Sequence, residues 1–438
     1  MKILKLSIRW LGVLAKNNMK QYLTGIDWIF NSIDYTSKTQ CGIGNISQVV
    51  LELKGAPDRL LLQEALNSFI RKFPLLNGYP ARDLNLCPYW KAPLPKKMLP
   101  ITVHTASSLE NLAAQLSLPW KDKKEHLAFI LIDTGKNNLL GMVFDHRILD
   151  AKGAETFLNL FQQYYQKKDS SLVSLCSPSH LNHWAEKFKA GRQVNRFFLQ
   201  FSKEAPRVLP VNSLNRPAKF KVINLNREET RCFTNIAYSN AGYLMLMPYA
   251  LAKSLQVMHR IFQAGNNPGL TYIIPVPLDT RTGEDPENEI FFNHLSFFLF
   301  KIPASDADNF PLLLAKIKEQ MYEQVKTGLP EAITNASFLL RIVSLKTVHF
   351  FLQWMSKKHF ASFSFSSLGN SYSNLKFMDQ EVKNIFHLPR VPFPPGLGIF
   401  FNQFNDKLNI TLSYSENLLS EEQAEQIING LKATVNES

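Results

Sequence analysis

The spacing of apolar and polar residues predicts a strand followed directly by a helix near the start of the chain. Residues 47–54 alternate between apolar and polar side chains, as a half-buried strand does. Asp58 is a suitable N-cap, and apolar residues then recur every three or four positions as far as Ile70. Such alternation of strand and helix favours an α/β fold.

A strand hairpin and a helix are predicted next, with His146 between them. The apolar runs 127–132 and 139–144 are separated by a segment rich in Gly and Asn, which favours a hairpin loop. Apolar residues over 154–165 then recur at helical spacing. His146 therefore lies in a strand-to-helix connection, a position that often carries function.

The second half repeats this mixture of elements. We interpret the segment 191–217, which mixes Pro with Arg, Lys and Asn, as the crossing between an N-terminal lobe, 1–190, and a C-terminal lobe, 218–438. A chain of 438 residues exceeds the usual size of one hydrophobic core, which agrees with two lobes. The elements predicted in the C-terminal lobe are a helix at 241–262, strands at 270–277 and 295–302, a helix at 310–326, a hairpin at 398–414 with an Asn-Asp turn, and a helix from 420.

The net charge of +13 favours an anionic partner, such as nucleic acid, an acidic membrane surface or a phosphorylated ligand. Basic residues are scattered, without zinc-finger spacing, an RNA-binding signature or a long Lys/Arg block, so we expect no nucleic acid. Residues 1–16 could form a basic amphipathic helix in peripheral contact with a membrane, although a helix packed on the protein's own surface fits better. Lys5 and Arg9 interrupt any signal-peptide core.

The cysteines and histidines give no sign of a metal site or a disulfide framework. The four cysteines lie far apart without paired spacing, which predicts a reducing, cytoplasmic location. The histidines other than His146 have no ligand spacing with one another or with carboxylates, so we expect no bound metal.

His146 is the candidate general base, because imidazole accepts a proton near neutral pH. A His followed by Asp four residues later also arises by chance, and a structural or surface His is the alternative. The segment 145–153, with His146 and Asp150, resembles the His-x-x-x-Asp motif of the CoA-dependent acyltransferase superfamily. That superfamily includes chloramphenicol acetyltransferase, condensation domains of peptide synthetases and alcohol acyltransferases.

Other elements resemble the same family in the same order, so the likeness covers nearly the whole chain. Only the His motif is individually specific. The further elements are a helix ending in Phe-Pro-Leu-Leu at 73–76, Trp90, Leu-Asp-Thr-Arg at 278–281, Phe-Phe-Asn at 291–293 and the terminal hairpin.

The resemblance implies two chloramphenicol acetyltransferase-like α/β sandwich lobes with a tunnel between them and His146 at its middle. His146 would deprotonate a hydroxyl acceptor, which attacks a thioester without an acyl-enzyme. Asp150 would be structural and paired with Arg281, whereas Asp279 reads as a turn residue. Ser367 is the best candidate for the oxyanion donor, ahead of its polar neighbours Ser364, Ser366 and Asn370.

Departures from the family pattern narrow the function that the resemblance implies. Condensation domains usually have His where Asp145 stands, and many members have Gly where Ala151 stands. A free-standing O-acyltransferase of lipid or secondary metabolism fits best, using acyl-CoA or an acyl carrier's phosphopantetheine as co-substrate and a hydroxyl-bearing small molecule or lipid as acceptor. The alternatives are a condensation domain that forms amide bonds and a non-catalytic condensation-like module that binds a carrier protein or lipid.

Overall fold

The fold is that of a computed structural model of the chain. It describes residues 19–92, 99–106, 112, 114, 120, 122–133, 138–166, 183–201, 206–209, 217–265, 270–282, 289–356, 361–370 and 372–436. The amphipathic helix predicted at 1–16 lies outside these residues.

The first half contains most of the elements predicted for it. Its strands are β1 (Met19–Tyr22), β2 (Ile46–Leu53), β3 (Tyr79–Arg82), β4 (Pro88–Ala92), β5 (Val103–Ala106), β6 (Leu127–Asp133) and β7 (Asn138–Asp145). Its helices are α1 (Gly25–Cys41), α2 (Arg59–Ile70), α3 (Ala151–Tyr165) and α4 (Trp184–Phe201). The predicted cap of α2 is present, because Asp58 accepts a hydrogen bond from Leu61 N at 2.7 Å.

The second half matches the predicted order of elements, with one correction. Its strands are β8 (Ala218–Asn224), β9 (Thr271–Asp279), β10 (Leu295–Pro303), β11 (Ser364–Asn370), β12 (Lys376–Phe377), β13 (Gln380–His387), β14 (Leu397–Phe404) and β15 (Lys407–Ser415). Its helices are α5 (Arg227–Ala241), α6 (Leu246–Ala264), α7 (Phe310–Lys326), α8 (Leu329–Ser337), α9 (Leu345–Ser356) and α10 (Glu421–Asn436), with a 3-10 helix at Phe338–Ile342 between α8 and α9.

The helix predicted at 241–262 is wrong at its start. The chain turns between α5 and α6, where Gly242 has φ 103° and Leu244 has φ 63°, both outside the helical region. Only Ala241 belongs to α5, and the rest of the predicted range is the turn followed by nearly all of α6. The Asn-Asp turn is confirmed: Asn405 and Asp406 have φ 48° and 62°, as a two-residue hairpin turn requires.

Two sheets carry most of the strands. A six-stranded sheet has the order β12-β13-β2-β7-β6-β5, and its neighbours are antiparallel except for β5 and β6. A four-stranded sheet has the order β11-β14-β15-β8, parallel only between β11 and β14. Strands β9 and β10 form a pair, and β1, β4 and β3 form a small sheet.

Strand β13 comes from late in the chain but completes the six-stranded sheet of the first half. It pairs with β2, with Ile385 opposite Leu51. The side-chain amides of Asn402 and Asn409, on the four-stranded sheet, both donate to Ile385 O, at 2.9 and 2.8 Å. This strand therefore joins the two sheets. The division into lobes 1–190 and 218–438 stays a prediction, and α4 occupies the first part of the expected crossing.

Each main sheet packs an apolar face against helices. In the first half, the buried ring of Phe69 on α2 contacts Phe157 and Phe161 on α3, with centroids 5.2 and 5.5 Å apart. In the second half, Phe233 on α5 packs on Tyr249 of α6 at 5.5 Å. These cores fix α3, whose first turn lies beside His146. Among the helices described, none has the length and apolar character needed to cross a membrane.

Candidate active site

His146 directly follows β7, at the place where the strand ends and α3 has not yet begun. Its backbone N–H donates to Asn45 O at 2.9 Å, which fixes the backbone just beyond the strand. Its ring stacks on Phe30 of α1, with centroids 4.8 Å apart and planes 24° apart. The imidazole is therefore held flat against a helix from the start of the chain and retains a part-exposed edge.

Asn293 fixes the orientation and the tautomer of the His146 ring. Its side-chain Nδ2 donates to His146 O at 3.0 Å, so its Oδ1 is the atom that faces His146 Nδ1, at 3.2 Å. Since Oδ1 only accepts, Nδ1 must carry the ring hydrogen. Nε2 is then left with its lone pair, which is the form that a general base needs.

The backbone before Asn293 lies against the motif segment in an unusual conformation. Phe292 has φ 71°, in the left-handed region that favours glycine, and its N–H donates to Ile148 O at 2.7 Å. The acyltransferase element that 291–293 resembles has Gly at this position. Here Phe292 keeps the backbone shape, and its ring packs edge-on against Trp90 at 5.9 Å.

Burial lowers the pKa of His146, although hydrogen bonds to its own carbonyl and to Asn293 act in the opposite direction, as does the charge of Asp150. The ring is therefore neutral over a wider range of pH than a free imidazole. A neutral ring with its lone pair on Nε2 is ready to accept a proton.

Asp150 and Arg281 form the ion pair that the sequence led us to expect. Arg281 Nη2 lies 2.7 Å from Asp150 Oδ1, and Asp150 is 2% exposed. The same carboxylate caps α3 by accepting from Gly153 N at 2.8 Å, and its other oxygen accepts from His294 N at 3.1 Å. Asp150 thus ties α3 to the segment that carries Asn293.

Asp279 is more than the turn residue that the sequence suggested. Its Oδ1 accepts from Arg281 Nη1 at 3.0 Å and from Arg281 N at 3.1 Å, while Arg281 Nε donates to Glu289 O at 3.0 Å. Burial lowers the pKa of Arg281, but the two carboxylates outweigh it and the net shift is upward. The guanidinium is fixed from three sides, which orients it toward Asp150.

Asp27 is a buried carboxylate that the sequence reasoning missed. Asn293 N donates to its Oδ1 at 2.9 Å, while Thr24 caps α1 and donates to its Oδ2 from both backbone and hydroxyl at 2.8 Å. Asp27 therefore holds Asn293 from the side opposite His146. The Thr-x-x-Asp spacing before an apolar run could have predicted the cap of α1, but no local signal indicates the contact with Asn293.

The two residues that flank His146 form a separate buried ion cluster. Arg147 Nε donates to both oxygens of Asp145 at 3.0 Å, and Arg147 Nη1 lies 3.3 Å from Asp34. His126 Nδ1 lies 3.0 Å from Asp145 Oδ2. Burial opposes ionisation, yet Arg147 and His126 hold the pKa of Asp145 well below its usual range. Asp145, which stands where condensation domains have His, is thus engaged away from the His146 ring.

Ser367 is not brought to His146 by any hydrogen bond among the described residues. It stands opposite Phe401 in the parallel pair of β11 and β14. Phe401 and Phe365 both belong to the core of the second half, so alternation along β11 places Ser367 on the same face as that core. Ser366 lies on the other face. The role of Ser367 as oxyanion donor stays a prediction.

No protein-family sequence model matches the chain, and no curated protein sequence is significantly similar to it. Solved structures do match. The chain superposes on trichothecene 15-O-acetyltransferase of Fusarium sporotrichioides with a TM-score of 0.69 and 11% identity, over 96% of each chain. The chain has the chloramphenicol acetyltransferase-like fold. This confirms the predicted α/β fold class and the predicted resemblance at the level of the fold.

Further structures with this fold give the same result. The first condensation domain of the calcium-dependent antibiotic synthetase, in complex with a substrate analogue, has a TM-score of 0.68 and 11% identity over 96% of this chain and 97% of that one. Polyketide synthase associated protein 5 of Mycobacterium tuberculosis has a TM-score of 0.62 and 13% identity over 92% and 96%. Structural similarity at these sequence identities shows the fold alone, so the chemistry has to be argued from the site residues of this chain.

The described residues contain no group of three or more His, Cys, Asp or Glu side chains that could hold a metal ion. Cys41, Cys87 and Cys232 form no disulfide with one another, and Cys176 lies outside the described residues.

Proposed function

We propose that this protein is an acyltransferase that moves an acyl group from a thioester, acyl-CoA or a carrier-bound phosphopantetheine, to a hydroxyl acceptor. The observation that carries the proposal is the pair of contacts between Asn293 and His146, at 3.0 and 3.2 Å, which leaves Nε2 as a base. The fold supports it, because one protein of the same fold is described as a 15-O-acetyltransferase.

The reaction follows from the position of that lone pair. Nε2 takes the proton of the acceptor hydroxyl as its oxygen attacks the thioester carbonyl and forms the new C–O bond. The carbonyl oxygen carries the negative charge of the tetrahedral intermediate. As the carbonyl re-forms, the C–S bond breaks and the imidazolium returns the proton to the leaving thiolate. No acyl-enzyme is needed, since donor and acceptor react directly.

Ser367 remains our first candidate for the donor that stabilises the oxyanion, and Ser366 is the second. Ser366 lies on the face of the four-stranded sheet that also carries Asn402, which bonds to β13. A hydroxyl on that face would be directed toward the six-stranded sheet that carries His146. Separate Ala variants would distinguish the two serines, since loss of an oxyanion donor lowers kcat about 100-fold or more.

A hydroxyl acceptor is favoured over an amine by the residue before His146. Where condensation domains usually have a second His, Asp145 is bound by Arg147 and His126. In this motif His146 is the residue whose imidazole would move the proton. A condensation domain that forms amide bonds is the second candidate, supported by structural neighbours that are condensation domains.

Replacement of His146 tests the proposal. We expect His146→Gln to lower the rate of free-thiol release from acyl-CoA, measured with a panel of alcohols, by about 1,000-fold. The substitution removes the base while it nearly keeps the volume of the side chain. Unfolding temperature should stay within a few degrees of the parent. Turnover equal to the parent would refute His146 as base. Failure of the parent on every thioester tested, free or carrier-bound, would favour a non-catalytic binding module.

A further inference from the structure

Arg341 is a buried cation that has no counter-ion in the described part of the chain. It lies on the 3-10 helix Phe338–Ile342, between α8 and α9, and is 4% exposed. No ion pair or side-chain hydrogen bond to Arg341 occurs within the described part of the chain, and its Nε is buried without a partner. Buried charges in proteins are normally paired, so a buried guanidinium without a counter-ion lowers the stability of the fold. A function for the charge would explain why it is present.

A second cation, Lys187, lies close to Arg341. Both contact the Phe338 ring, with Lys187 Nζ 4.9 Å and Arg341 Cζ 5.5 Å from its centroid. Lys187, on α4, is 7% exposed. Arg82, on the small sheet, already donates to the backbone carbonyls of residues 341–343, with Nη2 2.9 Å from Arg341 O. Two positive side chains, Lys187 and Arg341, therefore lie at one junction of the fold.

The two carboxylates whose charges act on Arg341, Asp27 and Asp83, already accept hydrogen bonds from other groups. Asp27 accepts from Thr24 and Asn293 through both of its oxygens. Asp83 accepts from the backbones of Asn85 and Cys87 and from the hydroxyl of Tyr22. Neither carboxylate comes within ion-pair distance of Arg341. Burial lowers the pKa of Arg341, which agrees with a cation that lacks a close counter-charge.

The junction is close to solvent and close to the candidate active site. Leu340 and Ile342, on either side of Arg341 in sequence, are 39% and 52% exposed, so a short rearrangement would open the guanidinium to solvent. The preceding helix α8 ends at Ser337 against Gly25, and Phe30, which stacks on His146, lies five residues further along α1. Five helical residues span about 7.5 Å.

We propose that Arg341, with Lys187 beside it, binds a phosphate group of the acyl donor, in CoA or in a carrier's phosphopantetheine. The inference rests on the proposed function and adds the donor's anchor to it. A phosphate accepts several charge-assisted hydrogen bonds from guanidinium groups. The flexible pantetheine arm would run from this junction past α1 and place its thioester at the base.

Equilibrium binding without turnover tests the site. The full chain is titrated with CoA, 4′-phosphopantetheine, pantetheine and inorganic phosphate, and unfolding temperatures are measured without ligand. We expect the parent to bind both phosphorylated pantetheine compounds at least tenfold more tightly than pantetheine. Arg341→Met should remove that preference, and Arg341→Lys should reduce it. Arg192→Met, an exposed arginine on α4, is the matched control and should keep it.

The unfolding temperature gives a second readout, which distinguishes a ligand-binding arginine from one with a merely structural role. Because Arg341 is unpaired, Arg341→Met without ligand should unfold at the same temperature as the parent or higher. A marked fall in unfolding temperature would overturn the proposal, as would equal affinity for pantetheine and phosphopantetheine, or binding of inorganic phosphate alone. Phosphate-dependent binding by a protein that turns over no thioester would support the phosphate site and refute the proposed acyltransferase activity. Thioester turnover without a preference for phosphorylated pantetheine would refute the phosphate site and support the activity.

Discussion

Replacement of Asp150 should destabilise the fold more than the loss of an ordinary helix cap. In Asp150→Ala, Gly153 N, His294 N and Arg281 Nη2 all lose their acceptor, and the site is 2% exposed, so water cannot replace the carboxylate. The cap alone is worth about 1 kcal/mol. A backbone N–H left buried without a partner costs about 1–3 kcal/mol.

The loss of the ion pair should lower the free energy of unfolding by less than its burial suggests, because Arg281 keeps Asp279 and the carbonyl of Glu289 as partners. We therefore expect about 3 kcal/mol in total, at the lower end of the range for breaking a buried pair. The free energy of unfolding is measured by urea denaturation with tryptophan fluorescence. An unchanged dependence on urea would show that the native and unfolded states keep their compactness.

Asp58→Ala is the matched control, because Asp58 caps α2 in the same way but is exposed and has no ion pair among the described residues. It should cost about 1 kcal/mol. If Asp150→Ala costs no more than Asp58→Ala, the pair with Arg281 adds nothing and the argument is refuted. The double variant of Asp150→Ala with Arg281→Met should cost less than the two single changes together, since the two residues share one interaction.

Two further predictions concern the same segment. Burial lowers the pKa of His146, and the base must be neutral, so the acid limb of the pH profile of kcat/KM should lie below pH 6.5. Asn293→Asp should move that limb to higher pH, because a carboxylate at Nδ1 favours the imidazolium. A limb that stays in place would exclude Asn293 as the group at Nδ1. Gly153→Ala would place a Cβ against Ile290 O and should destabilise the protein by about 1–3 kcal/mol. Gly265→Ala is the control and should be tolerated, because the nearest atom to its added Cβ would be 3.7 Å away. Equal shifts of the urea midpoint in the two variants would contradict this prediction.

The elements around His146 could be predicted because each has a local signal. The apolar runs of β6 and β7 and the helical spacing of α3 lie within about forty residues of one another. The pairing of Asp150 with Arg281 is not local and was expected only from resemblance to a family. The structure shows that pair at 2.7 Å, while the catalytic roles of the site residues remain predictions.

The contacts that sequence reasoning missed join parts of the chain with no pattern in common. Asn293 meets His146 across 147 positions and Asp27 across 266, through a backbone held at φ 71° in Phe292. Periodicity reports which face of an element is buried but not which distant segment covers it. The helix predicted at 241–262 began too early for a local reason, because the apolar residues Tyr243 and Leu244 lie in a turn with Gly242 and continue the apolar pattern of α6.

Strand β13 has a consequence for how the chain folds during synthesis. Until residues 380–387 leave the ribosome, β2 pairs on one side only, with β7. Its open edge carries Val49 and Val50, which are fully buried in the finished protein. An apolar edge of this kind is a template for aggregation. The nascent chain therefore carries an incomplete sheet over more than two hundred residues of further translation, a period in which the open edge of β2 is exposed to aggregation.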